Sequence, residues 1–205
     1  MIFSRSKEPF FTRLTINNCK LDQIPATKLL GVWITEDLSW QKNTQEICRK
    51  AYARLSMLTK LKYVGVSTED LIDIYILYIR SLTEYCATAF HSSLTLEQST
   101  DLERSHKTCL RVILGGNYVS YTAALEMTGQ ASLIERREKR CLEFALRCIK
   151  HPINKKIFPQ NPNLNQEGME IRSREVFVVN HARTESYKKS AVPYCQRLLN
   201  THFQE

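Results

Sequence analysis

The run SWQKNTQEICRKAYARLSMLTKLKY, residues 39–63, sets Trp40, Ile47, Cys48, Ala51, Leu55, Leu58 and Leu61 roughly on one face of a helix, while Lys42, Arg49, Lys50, Arg54, Lys60 and Lys62 lie largely elsewhere. That spacing predicts a long amphipathic helix with a basic exposed side. In this register Trp40 reads as core rather than as a base-stacking platform.

Before this helix the pattern is that of strands. Phe10 to Ile16 alternates loosely, Asn17-Asn18 suits the positive φ of a tight hairpin turn, and Cys19 to Ile24 returns. Leu29 to Thr35 reads as a third extended run with Gly31 inside it.

After it the signals are helical. Ser67 is an N-cap with Glu69 and Asp70 in the first turn, and the helix that follows, Leu71 to Phe90, is apolar almost all round and forms the expected buried centre. Within it Arg80 and Glu84, four apart, read as a pair partly buried against the bundle. Thr95 with Gln98 and Ser132 with Glu135 have capping-box spacing and start helices that run to about Leu114 and Lys150, stopped by Gly115-Gly116 and Pro152. Ser120 to Thr128 reads as a short helix ended by Gly129. Pro159 to Gly168 reads as a linker, Glu175 to Val179 as a short β-like run, and Pro193 opens a last helix through Leu199.

The expected fold is therefore mainly α: a small N-terminal β-hairpin and strand, a bundle of about five helices and a loose C-terminal tail. The expected segments are 1–37 (β element), 38–116 (helical bundle), 117–158 (further helices) and 159–205 (linker and tail).

The composition, 43% hydrophobic and 24% charged with six glycines and six prolines among 205 residues, excludes collagen-like and low-complexity classes. The net charge of +8 favours polyanionic partners. It is unevenly spread: residues 1–65 hold 11 Lys/Arg against 5 Asp/Glu, 66–103 hold 1 against 7, and 104–160 hold 11 against 4. Two basic blocks flank an acidic one.

The seven scattered cysteines read as free, mostly buried thiols of a reducing, intracellular compartment, with nucleus and cytoplasm both open. Cys141, Cys148 and His151 have the only spacing near that of a metal site, but 141 and 148 fall on an apolar helix face, so buried cysteines are the favoured reading. Leu71 to Leu82, the longest apolar run, contains Asp73 and Arg80 and is too short to cross a bilayer, so no membrane contact is expected. No Ser-His, Cys-His or paired-carboxylate spacing marks a catalytic site, and no cofactor is expected.

The run Thr27-Lys28-Leu29-Leu30-Gly31-Val32-Trp33-Ile34 followed by Asp37-Leu38-Ser39-Trp40 resembles the K-x-LGV-x-I-x-x-x-L-x-W stretch that follows the palm in non-LTR (LINE-type, jockey-like) retrotransposon reverse transcriptases. Residues 78–85 (YIRSLTEY), Leu102-Glu103-Arg104, Ser132 to Arg137, Phe158-Pro159 and Ser190 to Asn200 resemble the same family's following region. The resemblance implies a primer grip at Lys28–Ile34 and a thumb from Trp40 to about Gly115. It also implies that the chain begins just after the palm's catalytic strand, with Met1 to Ser6 as the palm's end. Polymerisation needs aspartates that hold two metal ions, and this sequence contains no Asp-Asp pair, so the chain is expected to copy nothing by itself. The expected partners are RNA or an RNA/DNA duplex, and the fingers and palm of a reverse transcriptase carried elsewhere.

The residues expected to meet nucleic acid are Lys28, Gly31 and Trp33 of the grip; Lys42, Arg49, Lys50, Arg54, Lys60 and Lys62 of the first helix; and Arg136, Arg140 and Arg147 of the second basic block. Gly31 permits the close approach of a primer or marks a strand bend packed against the first helix, and Trp33 offers a stacking face. The lysines and arginines track phosphates or form solvated helix faces, and Glu135, Glu138 and Glu143 stand ready to neutralise the second block. A truncated or host-adopted remnant serving only as a structural or protein-interaction module is the alternative function.

Overall fold

The computed structural model describes residues 15–161, 176–179 and 181–204. The expected palm end at Met1–Ser6, the first part of the Phe10–Ile16 strand and most of the Pro159–Gly168 linker lie outside the described residues. The architecture is mainly α, with two small strand pairs at the N-terminal side of the described residues.

The first strand pair joins β1 (Thr15–Ile16) to β2 (Cys19–Lys20) through Asn17 and Asn18, whose φ values of 50° and 59° are those that asparagine tolerates and most residues avoid. The second joins β3 (Ala26–Leu29) to β4 (Val32–Thr35), with Leu29 opposite Val32 and Lys28 opposite Trp33. This corrects the single extended run expected over 29–35. The chain reverses at Leu30 (φ 46°) and Gly31 (φ 89°), and leucine in a left-handed turn is a choice that local propensity argues against.

Helix α1 (Gln41–Tyr63) buries Ile47, Ala51 and Leu58, in the register the apolar spacing predicts. Trp40 packs its ring 5.9 Å from that of Phe90, which is its core role. Ser67 caps α2 (Thr68–Ile74) by accepting from the Asp70 N–H at 3.1 Å.

The expected continuous helix Leu71–Phe90 is instead built of pieces: α2, a π-helical stretch Tyr75–Arg80, α3 (Ser81–Glu84) and, after a break, α4 (Ala87–Phe90). The break falls at Tyr85, which is extended, and Cys86, which sits at φ 53°. Its inner face, Leu71, Tyr75, Ile79, Ala87 and Phe90, is fully buried, but Leu77, Tyr78 and Tyr85 are exposed, so only one side is core.

Helices α5 (Leu96–Leu114) and α7 (Leu133–Lys150) both begin in complete capping boxes, Thr95/Gln98 and Ser132/Glu135. Between them α6 (Tyr121–Thr128) ends on Gly129 at φ 62°. Helices α1 and α5 run parallel: the Gln98 Nε2 donates to Gln41 Oε1 at 3.1 Å at their starts, and Lys62 lies beside Gly115 at their ends. They enclose the main core with the inner faces of α2 and α6, through Leu58, Tyr75, Leu110, Ile113 and Ala124.

A second core corrects the loose tail expected for 159–205 at its described residues 176–177 and 191–202. Cys141, Ala145 and Cys148 of α7 meet Phe158, Phe177 and, from α9 (Ala191–His202), Cys195 and Leu199. Asn200 clamps Phe177 from both sides of its peptide: its Oδ1 accepts from the Phe177 N–H at 2.8 Å and its Nδ2 donates to the Phe177 carbonyl at 3.0 Å. The four-residue α8 (Glu185–Lys188) precedes α9.

Candidate nucleic-acid interface

Along α1, Lys42, Arg49 and Lys60 stand 7 and 11 residues apart, near whole numbers of turns, so they fall on one line directly opposite Ile47, Ala51 and Leu58. All three are exposed. The line is roughly 27 Å long at ~1.5 Å per residue. Arg49 is bridged by Glu46 at 3.0 Å, and that bond lowers the pKa of the Glu46 carboxyl while raising that of the guanidinium. Because both side chains are on the surface, the bridge leaves Arg49 open to exchange with a phosphate.

The other three basic residues of α1 lie off this line. Lys50 and Arg54 sit on the flank facing the π-helical stretch, where the Arg54 guanidinium covers the Tyr78 ring at 4.3 Å and also donates to the Tyr78 carbonyl. Arg54 is thereby tied to the π-helical stretch through Tyr78. Lys62 sits on the opposite flank, next to Gly115.

The β3–β4 hairpin docks on the start of α1, where the Trp33 N–H donates to Asn43 Oδ1 at 3.2 Å. This brings Lys28, Trp33 and Lys42 together. The Lys42 ammonium stands 3.9 Å over the Trp33 ring, and Lys28 is the cross-strand neighbour of Trp33. Gly31 makes the close approach expected of it, but to Tyr85: a Cβ at Gly31 would stand 3.2 Å from the Tyr85 ring, and the Tyr85 hydroxyl donates to the Leu30 carbonyl at 2.7 Å.

The second basic block is brought together around a carboxylate. Arg136 donates to both oxygens of Glu84, Arg80 stands 3.5 Å from Oε1 and Arg140 3.9 Å from Oε2. The Glu84 side chain is only 10% exposed, so it is the anchor of three guanidinium groups. Its hydrogen bond raises the Arg136 pKa, whereas burial and then the charge of Arg136 lower that of Arg80. Arg136 is thus paired with Glu84; of the glutamates expected to neutralise the block at i,i+4, Glu143 pairs instead at i,i+3, 3.4 Å from Arg140. Arg147 donates its Nε to the Glu143 carbonyl at 3.3 Å, and no described carboxylate forms an ion pair with it.

Helix α5 adds residues that the sequence reading missed. Arg104, Lys107 and Arg111 point away from its buried line of Leu102, Cys109, Leu110 and Ile113. Lys107 lies over the Tyr121 ring at 4.7 Å and Arg111 over Tyr118 at 5.2 Å. Spacing within one helix carried the signal for Arg104, Lys107 and Arg111, at i, i+3 and i+7, but the aromatic partners come from the following loop and α6. Lys107 and Arg111 thus interleave with tyrosines, a pattern suited to phosphates and bases alike.

Beneath this surface the polar groups are structural. Glu103 accepts from the Leu133 N–H at 3.1 Å and from the Tyr121 hydroxyl, and His106 shares a short hydrogen bond with Tyr75. Burial raises the pKa of the Tyr121 hydroxyl, with Glu103 adding to it, and lifts the Cys109 thiol to about 12. Among the described residues no His, Cys, Asp and Glu cluster could hold a metal ion, and Cys141 and Cys148 are core residues. No described helix is long and apolar enough to cross a membrane. Compared with known proteins, the chain matches no family model, no curated protein and no solved structure.

Proposed function

We propose that the chain is a non-catalytic nucleic-acid-binding module of the kind its sequence resembles, the grip and thumb of a non-LTR reverse transcriptase, which holds an RNA or RNA/DNA duplex by its phosphates. The observation that carries this reading is the exposed line Lys42–Arg49–Lys60 opposite the core of α1, to which the proposal adds Lys107 and Arg111 of α5 as further contacts. Charges held along a rigid helix bind a backbone without reading its sequence. The Lys28–Trp33–Lys42 corner lies at one end of the line, where the resemblance puts a primer terminus.

Filter binding of an RNA/DNA hybrid at rising salt tests the proposal. Four or five neutralised phosphates give a log-log slope of about −3.5 to −4.5. Changing Lys42, Arg49 and Lys60 together to Glu should abolish retention while leaving the circular dichroism spectrum unchanged. A slope near zero, or retention equal to that of the unaltered chain, sinks the proposal.

One observation favours the alternative of a protein-interaction module. The β3–β4 pair is a two-stranded sheet whose edges pair with no other strand among the described residues, and Leu30 at its tip is 82% exposed. That reading predicts self-association through the hairpin, lost on Leu30→Ser, which light scattering would register.

A further inference from the structure

The break at Tyr85–Cys86 opens a groove of about 630 Å³ between the α3–α4 junction and the end of α7, a size typical of small-molecule sites. One wall carries Arg140, Phe144, Arg147 and His151, spaced at i, i+4, i+7 and i+11 so that all four share one side of α7 and its C-terminal extension. The facing wall carries Glu84 and Tyr85.

We propose that this groove binds a nucleotide phosphate, with Arg147 and His151 taking the phosphate and Phe144 and Tyr85 flanking the ring. Arg147 is oriented by its Nε bond to Glu143 and is in no ion pair, so its two terminal nitrogens are available to an anion. His151 Nδ1 accepts from the N–H groups of Ile153 at 3.3 Å and Asn154 at 3.4 Å, which puts the ring proton on Nε2 and makes that atom a donor. Phe144 is 40% exposed and Tyr85 52% exposed, so each offers a flat apolar face at the groove. Glu84 is the one carboxylate on the walls, and Arg80, Arg136 and Arg140 already neutralise it. A bare phosphate would leave most of the groove empty and both aromatic faces unused; a nucleotide uses both.

The groove and the α1 face have no residue in common, so each proposal can fail alone. Calorimetric titration with adenosine 5′-monophosphate, adenosine and inorganic phosphate decides this one. Expected is binding of the monophosphate about ten-fold tighter than either part, weakened about ten-fold by Arg147→Gln and by Phe144→Ala. Both residues are on the surface, and a Lys139→Gln control on the far side of α7 should change nothing. The Lys42/Arg49/Lys60→Glu chain, folded but unable to hold the hybrid, should bind the monophosphate as the unaltered chain does. A 5′-phosphorylated tetranucleotide separates two sources of the same chemistry: tighter binding than the monophosphate assigns the groove to a strand end, equal binding to a free mononucleotide, and both support a nucleotide site. Absence of heat with the monophosphate, or unaltered binding by Arg147→Gln, overturns it.

Discussion

Arg136 reaches across 52 residues of sequence to Glu84, donating from Nη2 to Oε2 at 3.1 Å and from Nε to the other oxygen. This pair ties α7 to α3 and makes Arg136, one residue of the second basic block, part of the fold. Glu84→Gln keeps the shape but leaves Arg80, Arg136 and Arg140 facing one another in a poorly solvated site. The expected loss is about 2 kcal/mol of stability, seen as a lower urea midpoint with an unchanged slope. Arg147→Gln, on the same line of α7 but outside the cluster, should leave the midpoint in place.

Gly31→Ala should also destabilise, by about 1–2 kcal/mol, because φ is 89° and the new Cβ would crowd the Tyr85 ring. Thermal unfolding measures the loss. Tyr85→Ala removes the crowding but not the backbone strain, so the double variant should recover only part of it. Full recovery would show that crowding alone sets the need for glycine.

What the sequence discloses and what it hides divide along the range of the interactions. The caps at Ser67, Thr95, Ser120 and Ser132 and the turn at Asn17-Asn18 are local chemistry, readable from a few neighbouring residues. The register of α1 follows from its apolar spacing, and with it the exposure of Lys42, Arg49 and Lys60. The break at Cys86 has no such signal, since neither Gly, Pro nor Asn marks its left-handed φ of 53°. Arg54 on Tyr78 and Arg136 on Glu84 are pairings 24 and 52 residues apart, invisible to a search at helical spacing. Asn200 on Phe177 likewise packs a tail that composition marks as loose.

Lys107 and Arg111 supply a test of the binding surface that does not touch α1. Changing both to Ala removes two phosphate contacts and should reduce the magnitude of the salt slope by about 1–2, with affinity lowered for all sequences alike. Fluorescence anisotropy with two unrelated hybrids would record it. Equal slopes before and after would confine binding to α1.

Acid should weaken the fold before its carboxylates titrate. His106 is buried and His91 partly buried; desolvation first, and then nearby guanidinium charge (Arg137 for His91, Arg80 and Arg136 for His106), lowers each pKa from the ordinary 6.5 to about 4. Between those values the unfolded chain binds protons that the folded chain refuses, so stability rises with pH. The contribution is complete above the unfolded pKa near 6.5 and is lost as pH falls toward 4. From about pH 6.5 to about pH 5, where most carboxylates stay ionised, the two histidines together should remove about 2–4 kcal/mol, the His91 share being smaller because it is less deeply buried. Urea midpoints across that range measure it. His106→Gln, which keeps a hydrogen-bonding side chain beside Tyr75 but cannot take up a proton, should flatten roughly half of the slope; a slope unchanged by that substitution would place the proton uptake elsewhere.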